Sequence, residues 1–257
     1  GFNINFAYRT FKWNSEAKLQ AHVHVVIIGF SYTKRKEKIL FSESNEPQRV
    51  KNINAYLIDG ENIFISSRTK PISDVPLMIF GNMPNDGGYL SKFKLSEVEE
   101  IIAKYPQSKL LFHKLIGSAE FLNNKERYCL WLYNEDPKVW RHISPIANRV
   151  KLVQKLRENS NRKFTRDLAA TPYLFGEIRQ PETNYLVVPR VSSENRRYIP
   201  LGFISPDVIV SDALLIIPNA DLYDLGILES NMHMAWMRTV AGRLKSDYRY
   251  SAKIVYN

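Results

Sequence analysis

One cysteine, Cys129, is all the thiol this 257-residue chain contains. A single thiol rules out an intrachain disulfide and a thiolate-rich metal site, and it points to a cytoplasmic setting. Glycine is equally sparing where it matters. Among eleven glycines, no two stand as Gly-x-Gly, the turn that lets a backbone approach a nucleotide-type cofactor. The thirteen prolines include no adjacent pair. The Asp/Asn/Ser-Pro-Pro-aromatic motif of amino-methyltransferases is therefore missing, and Asn82-Met83-Pro84-Asn85 reads as a turn. Long apolar runs are also missing. The longest, Val23 to Phe30, is far too short to span a bilayer, and no secretory leader is expected. No membrane partner is expected. The chain starts at Gly1 inside strand-like sequence, as a piece of a longer polypeptide would.

Acidic residues are scarce where basic ones gather. The net charge is +10, and it is segregated. Residues 149 to 197 hold eleven Lys and Arg against five acids, residues 198 to 237 hold none against five, and residues 238 to 257 hold five against one. Two basic blocks flanking an acidic, apolar one suit a polyanionic partner met by one face.

The hydrophobic content of 44% supplies an ample core. Residues Ala21 to Phe30 read as a fully buried strand, with Phe2 to Trp13 as its neighbour. A polar stretch from Tyr32 to Arg49 suggests a boundary near residue 34. Phe80 to Tyr89 concentrates Gly, Asn, Pro and Asp and reads as loop. Ser96 and Glu99 have the spacing of a capping box opening a helix to Tyr105. Arg127 to Tyr133 reads as a strand. A helical region follows Pro137, with Ile146, Val150, Val153 and Leu156 on one face and Arg149, Lys151, Lys155 and Arg157 on the others. Strands at Tyr185–Val191, Arg196–Ile204 and Val208–Ile217 come too close together for crossover units, which favours antiparallel pairing. The fold class expected is α+β: a mixed, mainly antiparallel sheet with flanking helices.

The run from Asn231 to Ser251 joins an amphipathic helix to a basic tail. Leu225, Leu228, Met232, Ala235, Trp236 and Val240 recur at steps of three and four and predict one buried stripe. Arg149, Lys151 and Lys155, together with Arg243, Lys245, Arg249 and Tyr250, are candidate phosphate contacts, since long cations and phenol hydroxyls position a duplex without reading it. The plain alternative is a solvated helix end whose cations complement the dipole.

Val191 to Tyr198, VSSENRRY, gathers the side chains that read base edges. Ser192, Ser193, Glu194, Arg196 and Arg197 are the candidates. In an extended backbone Glu194 and Arg196 leave on the same face. A glutamate accepts from the cytosine amine and an arginine grips guanine bidentately, at about 1 to 3 kcal/mol of discrimination per contact. The plain alternative is a surface hairpin with a local ion pair. His22 and His24 share a strand face but lack a third metal ligand nearby. Glu16-Ala17-Lys18 and Asp136-Pro137-Lys138 lack the context of a magnesium nuclease. No catalytic, cofactor-binding or metal residue is therefore expected in this segment.

Six stretches in order, INFAYRTFKWNSEA (4 to 17), HVHVVIIGF (22 to 30), VPLMIFGNMPNDGG (75 to 88), RYCLWL (127 to 132), VPRVSSENRRYIPLGF (188 to 203) and MHMAWMRTVAGRLKSDYRYS (232 to 251), resemble the MmeI-like family of single-chain restriction-modification DNA methyltransferases. The family order is nuclease, helical spacer, adenine-specific methyltransferase, target recognition domain and a short C-terminal region. The resemblance implies that residues 1–33 are the last strands of the methyltransferase domain, 34–217 the recognition domain, and 218–257 the start of the C-terminal helical region. It implies double-stranded DNA and the upstream methyltransferase domain as partners. S-adenosylmethionine would serve the parent enzyme, bound upstream. It also places base reading in the VSSENRRY stretch, with Glu194 and Arg196 as the pair and Arg197 beside them. Two other classes compete: a self-contained magnesium-dependent nuclease and a basic RNA-binding or scaffold module.

Overall fold

The computed structural model describes residues 1–13, 23–41 and 46–257. The chain opens with strands β1 (Asn3–Trp13), β2 (Val23–Ser31), β3 (Lys38–Phe41) and β4 (Pro47–Val50). After an irregular stretch come β5 (Ile79–Phe80), α1 (Leu95–Lys104), β6 (Phe112–Ile116), α2 (Ser118–Asn123), β7 (Tyr128–Leu130), α3 (Pro137–Trp140), α4 (Ser144–Glu158) and α5 (Lys163–Asp167). Strands β8 (Tyr185–Pro189), β9 (Val191–Ser192), β10 (Gly202–Ile204), β11 (Ile209–Val210) and β12 (Leu214–Pro218) follow in quick succession. Helices α6 (Leu222–Leu228) and α7 (Asn231–Val240) then lead to the hairpin of β13 (Gly242–Leu244) and β14 (Asp247–Arg249). The α+β class with mainly antiparallel pairing is as the sequence suggests. Pairs β1–β3 and β11–β6 are parallel.

These elements fall into two compact units built from non-contiguous pieces. One comprises Gly1–Ser73, Val191–Arg197 and Ser230–Asn257; the other comprises Asp74–Arg190 and Tyr198–Glu229.

In the second unit, β10-β8-β12-β5 form a sheet whose central strands, YLVVP and LLIIP, are apolar without alternation and buried almost throughout. That is the pattern of strands covered on both faces. The main core gathers Leu90, Leu111, Leu115, Leu130, Ile146 and Val153. Cys129 lies fully buried in it, and burial pushes its thiol pKa up, so it is inert. The loop before α1 is organised by the buried Asp86 carboxylate, which accepts from the backbone N–H groups of Gly88 (2.9 Å), Leu90 (2.6 Å) and Ser91 (2.7 Å).

The last turn of α4 departs from expectation. Leu156 stays exposed, while Arg157, expected on a polar face, is fully buried. Its guanidinium donates to the carbonyls of Asn85, Leu168, Thr171, Pro84 and Leu174 at 2.8 to 3.1 Å. Five N–H donors meet five carbonyls; those of Pro84, Leu168 and Thr171 also accept from the backbone N–H groups of Gly176, Thr171 and Leu174. Helix α1 also starts two residues earlier than the Ser96/Glu99 spacing suggests: Glu97 Oε2 accepts from the Lys94 backbone N–H at 3.0 Å.

In the first unit, β2-β1-β3-β4 form a sheet over a small core of Ala7, Leu40, Val50, Ile53 and Leu57. Strand β2 is not fully buried. Val26, Ile27 and Ile28 are each at least 40% exposed, and since successive side chains point to opposite faces, this edge strand is open on both faces among the described residues. The single stripe expected from Leu225 onward is also broken. Helix α6 ends at Leu228, and Ser230 caps a new helix by accepting from the His233 backbone N–H at 3.1 Å. The cap resets the phase. Met234, Met237 and Val240 are buried, whereas Met232 is 82% exposed, Trp236 is 40% exposed, and Ala235 is exposed too.

Candidate nucleic-acid interface

The two features that stand apart in the sequence share one sheet. Strand β9 pairs antiparallel with β14, Ser192 opposite Tyr248 and Val191 opposite Arg249. Strand β14 pairs in turn with β13, Tyr248 opposite Arg243. The basic C-terminal hairpin is therefore the scaffold from which VSSENRRY departs.

Beyond β9 the backbone turns instead of continuing extended. Arg196 N–H donates to the Ser193 carbonyl at 3.1 Å, and Asn195 N–H donates to Ser193 Oγ at 3.3 Å. The same-face argument for Glu194 and Arg196 accordingly fails, since it needs extended geometry. Glu194 is set beside a guanidinium and an imidazole. Its Oε2 lies 3.7 Å from Arg243 Nη1 and its Oε1 lies 3.9 Å from His24 Nε2. Arg243 is itself held across the hairpin, its guanidinium carbon 3.7 Å from the centre of the Tyr248 ring and its Nη1 donating to the Ser246 carbonyl at 2.7 Å. Both distances to Glu194 are longer than a charge-assisted hydrogen bond, so the carboxylate is held in place but its acceptor capacity is not used up. On the far side of the turn, the Arg197 carbonyl accepts from Arg238 Nη2 of α7.

Comparison with known proteins now decides the family. Residues 59–257 match the model described as "MmeI, target recognition domain", and residues 1–42 match "MmeI, DNA-methyltransferase domain". The chain belongs to the MmeI family. It is 49% identical over its whole length to DNA methyltransferase A of Bacillus subtilis (strain 168), covering 29% of that protein. It is also similar in structure to the type IIL restriction-modification enzyme MmeI solved in complex with DNA, with 45% identity and a TM-score of 0.93 over 100% of this chain and 35% of the other. The chain thus spans about a third of the length of these relatives. Glu194, Arg196 and Arg243 fall within the part matching the recognition domain, and His24 within the part matching the methyltransferase domain.

The remaining candidates of this MmeI-type segment divide by environment. Lys151, Lys155, Lys245 and Arg249 are exposed, the first two on α4 in the other unit. Arg149 is tied into structure, donating to the Tyr89 carbonyl (3.1 Å) and to Glu97 (2.9 Å) and stacking 3.9 Å from the Phe93 ring. Tyr250 is 4% exposed, and its hydroxyl meets His233 Nε2 at 2.9 Å. Both are corrected to structural roles, because their polar atoms are already engaged inside the fold. Ser192 is corrected on burial alone: it is 3% exposed, although its hydroxyl has no hydrogen-bond partner among the described residues. Ser193 serves the turn.

The carboxylates weighed for metal chemistry also find structural work or lie elsewhere. Asp136 caps α3 by accepting from Lys138 N–H at 2.9 Å. His22 and the Glu16-Ala17-Lys18 triplet lie outside the described residues. The contacts of His24 and Arg238 with the Ser193–Arg197 turn were not legible in the sequence, because no spacing rule links positions so far apart.

Proposed function

We propose that this segment reads a base pair of double-stranded DNA through the Ser193–Arg197 turn, and so directs an adenine-specific, S-adenosylmethionine-dependent methyltransferase of the MmeI type. The observation that carries this reading is the placement of Glu194: a partly exposed carboxylate held between Arg243 and His24 at distances that leave it free to accept from a base. Glu194 accepts from a cytosine amine while Arg196 donates to the Hoogsteen edge of the paired guanine. Arg197 stands beside them. Lys151, Lys155, Lys245 and Arg249 supply exposed charge for the phosphate backbone, with Arg243 nearer the turn. DNA as the partner is supported by the structural relative, which was solved with DNA bound.

The division into terminal methyltransferase strands (1–33), recognition domain (34–217) and C-terminal helical region (218–257) accompanies this proposal. The match of residues 1–42 to the methyltransferase model supports its first boundary, while the recognition-domain match runs on past 217 to residue 257. The methyl donor would be held by residues outside this segment, whose glycines do not form the close-approach turn such a cofactor needs. No helix is long and apolar enough to cross a membrane among the described residues, in keeping with a cytoplasmic enzyme.

Mapping methylated bases in a host genome expressing the full-length protein tests the proposal. One methylated adenine motif is expected, and Arg196→Ala should relax it at a single base pair. Methylation without sequence preference, or an unchanged motif in Arg196→Ala, would overturn it.

A further inference from the structure

A cleft of about 700 Å³ opens within the first unit, and three arginines, Arg9, Arg238 and Arg243, line it. No carboxylate is among its lining residues. Two irregularities in the backbone shape this cleft. Along β1 the pairing with β2 shifts register between Tyr8 and Phe11, so Arg9 and Thr10 sit in a bulge. Bulges re-aim side chains at the edge of a regular ladder. Opposite, Leu57 holds a left-handed backbone (φ 55°), which a leucine rarely adopts. Asn54 enforces it: its Oδ1 accepts from Tyr56 N–H (2.9 Å), its carbonyl from Leu57 N–H (3.0 Å), and its own N–H donates to the Ile58 carbonyl (3.1 Å). A strained residue held by several hydrogen bonds beside a cleft lined by three cations marks a candidate binding site.

We propose that this cleft binds a backbone phosphate of the DNA whose base pair the Ser193–Arg197 turn reads. The inference rests on the DNA-reading proposal above and adds to it a defined anion site that brings Arg9, which the sequence does not mark as a phosphate ligand, together with Arg238 of the basic C-terminal run. Guanidinium groups suit a phosphodiester because their forked donors match its oxygens. Arg243 belongs to both places: it lines the cleft and faces Glu194 at 3.7 Å. A phosphate in the cleft draws on the same side chain that holds the base-reading carboxylate, so gripping the backbone and reading the base are coupled.

The test uses the full-length protein and a duplex carrying its methylation motif, scanned with single methylphosphonates that each remove one phosphate charge. Wild type should lose affinity at one position where the double variant Arg9→Ala, Arg238→Ala loses nothing further. The slope of log affinity against log salt should be shallower in that variant by about one unit. The double lysine variant keeps the charge and should retain the methylphosphonate sensitivity, which separates lost contact from misfolding. Sensitivity in the alanine variant identical to wild type at every position would overturn the proposal. So would displacement of DNA by millimolar inorganic phosphate or a mononucleotide from wild type and not from the variant, with no methylphosphonate effect, since the cleft would then be a small-anion site. Glu194→Ala keeps the salt slope and flattens base preference. An unchanged base preference in that variant sinks the base-reading assignment and leaves the phosphate site standing.

Discussion

Arg157 and Arg243 are the same residue in opposite situations. Around Arg157, five carbonyls close on the guanidinium inside the second unit; around Arg243, a tyrosine ring, one carbonyl and a carboxylate at 3.7 Å leave the group facing an open cleft. Burial pushes the Arg157 pKa down, and the nearby Asp86 charge pushes it back up. A buried cation with every donor satisfied is committed to the fold. A half-satisfied cation beside a carboxylate remains available to a ligand. Charge counts and helical wheels cannot tell these apart, because both describe the residue and not its partners.

The largest effect expected is at the committed site. Arg157→Ala removes five hydrogen bonds and leaves the carbonyls of Asn85 and Leu174 without their donor, and at about 1 to 3 kcal/mol for a buried unsatisfied group the local cost should reach roughly 3 kcal/mol. Hydrogen exchange in peptides spanning Pro84 to Leu174 should show it. Arg157→Lys should recover little, since an ammonium has three donors and lacks the planar fork. Exchange protection unaffected by Arg157→Ala would erase the contrast. Next in size, Arg243→Ala should weaken DNA binding and also shift preference at the base pair read by Glu194. Loss of affinity with preference unchanged would reduce Arg243 to a backbone contact.

A smaller effect concerns His233, which burial holds below its ordinary pKa of 6.5 beside the Tyr250 hydroxyl. The unfolded chain takes up a proton first as pH falls below 6.5, so the stability contributed by the neutral imidazole is complete above that value. It is lost as pH falls through the lowered folded pKa. Exchange protection of α7 should therefore drop between pH 7 and pH 5, and His233→Gln should remove that part of the pH dependence. The smallest effect is at Ser192. Removing a buried hydroxyl without a partner in Ser192→Ala should change stability by less than about 0.5 kcal/mol and leave base preference intact.

The fold was legible wherever local pattern decides it. The apolar runs of β8 and β12, the pairing of β1 with β2 and the irregular stretch that follows Phe80, itself the end of β5, all follow from periodicity and turn chemistry. The stripe from Leu225 was misplaced because one serine, Ser230, starts a new helix and rotates the buried face to Met234, Met237 and Val240. The site was half legible. Residue types in VSSENRRY mark a candidate base-reading stretch, but the turn at Ser193 and the placement of His24 and Arg243 beside Glu194 arise from tertiary structure. Tyr250 failed as a phosphate ligand for the same reason: a tyrosine in a basic tail looks exposed until its hydroxyl finds a buried histidine.

The most direct measurement is the affinity of the full-length protein for a panel of duplexes, each with one base pair of the motif changed, for wild type and Glu194→Ala. Wild type should discriminate at every position of the motif. The variant should lose about 1 to 3 kcal/mol of discrimination, roughly ten- to a hundredfold, at one base pair and keep the rest. A variant profile identical to wild type at every position would contradict base reading by this turn.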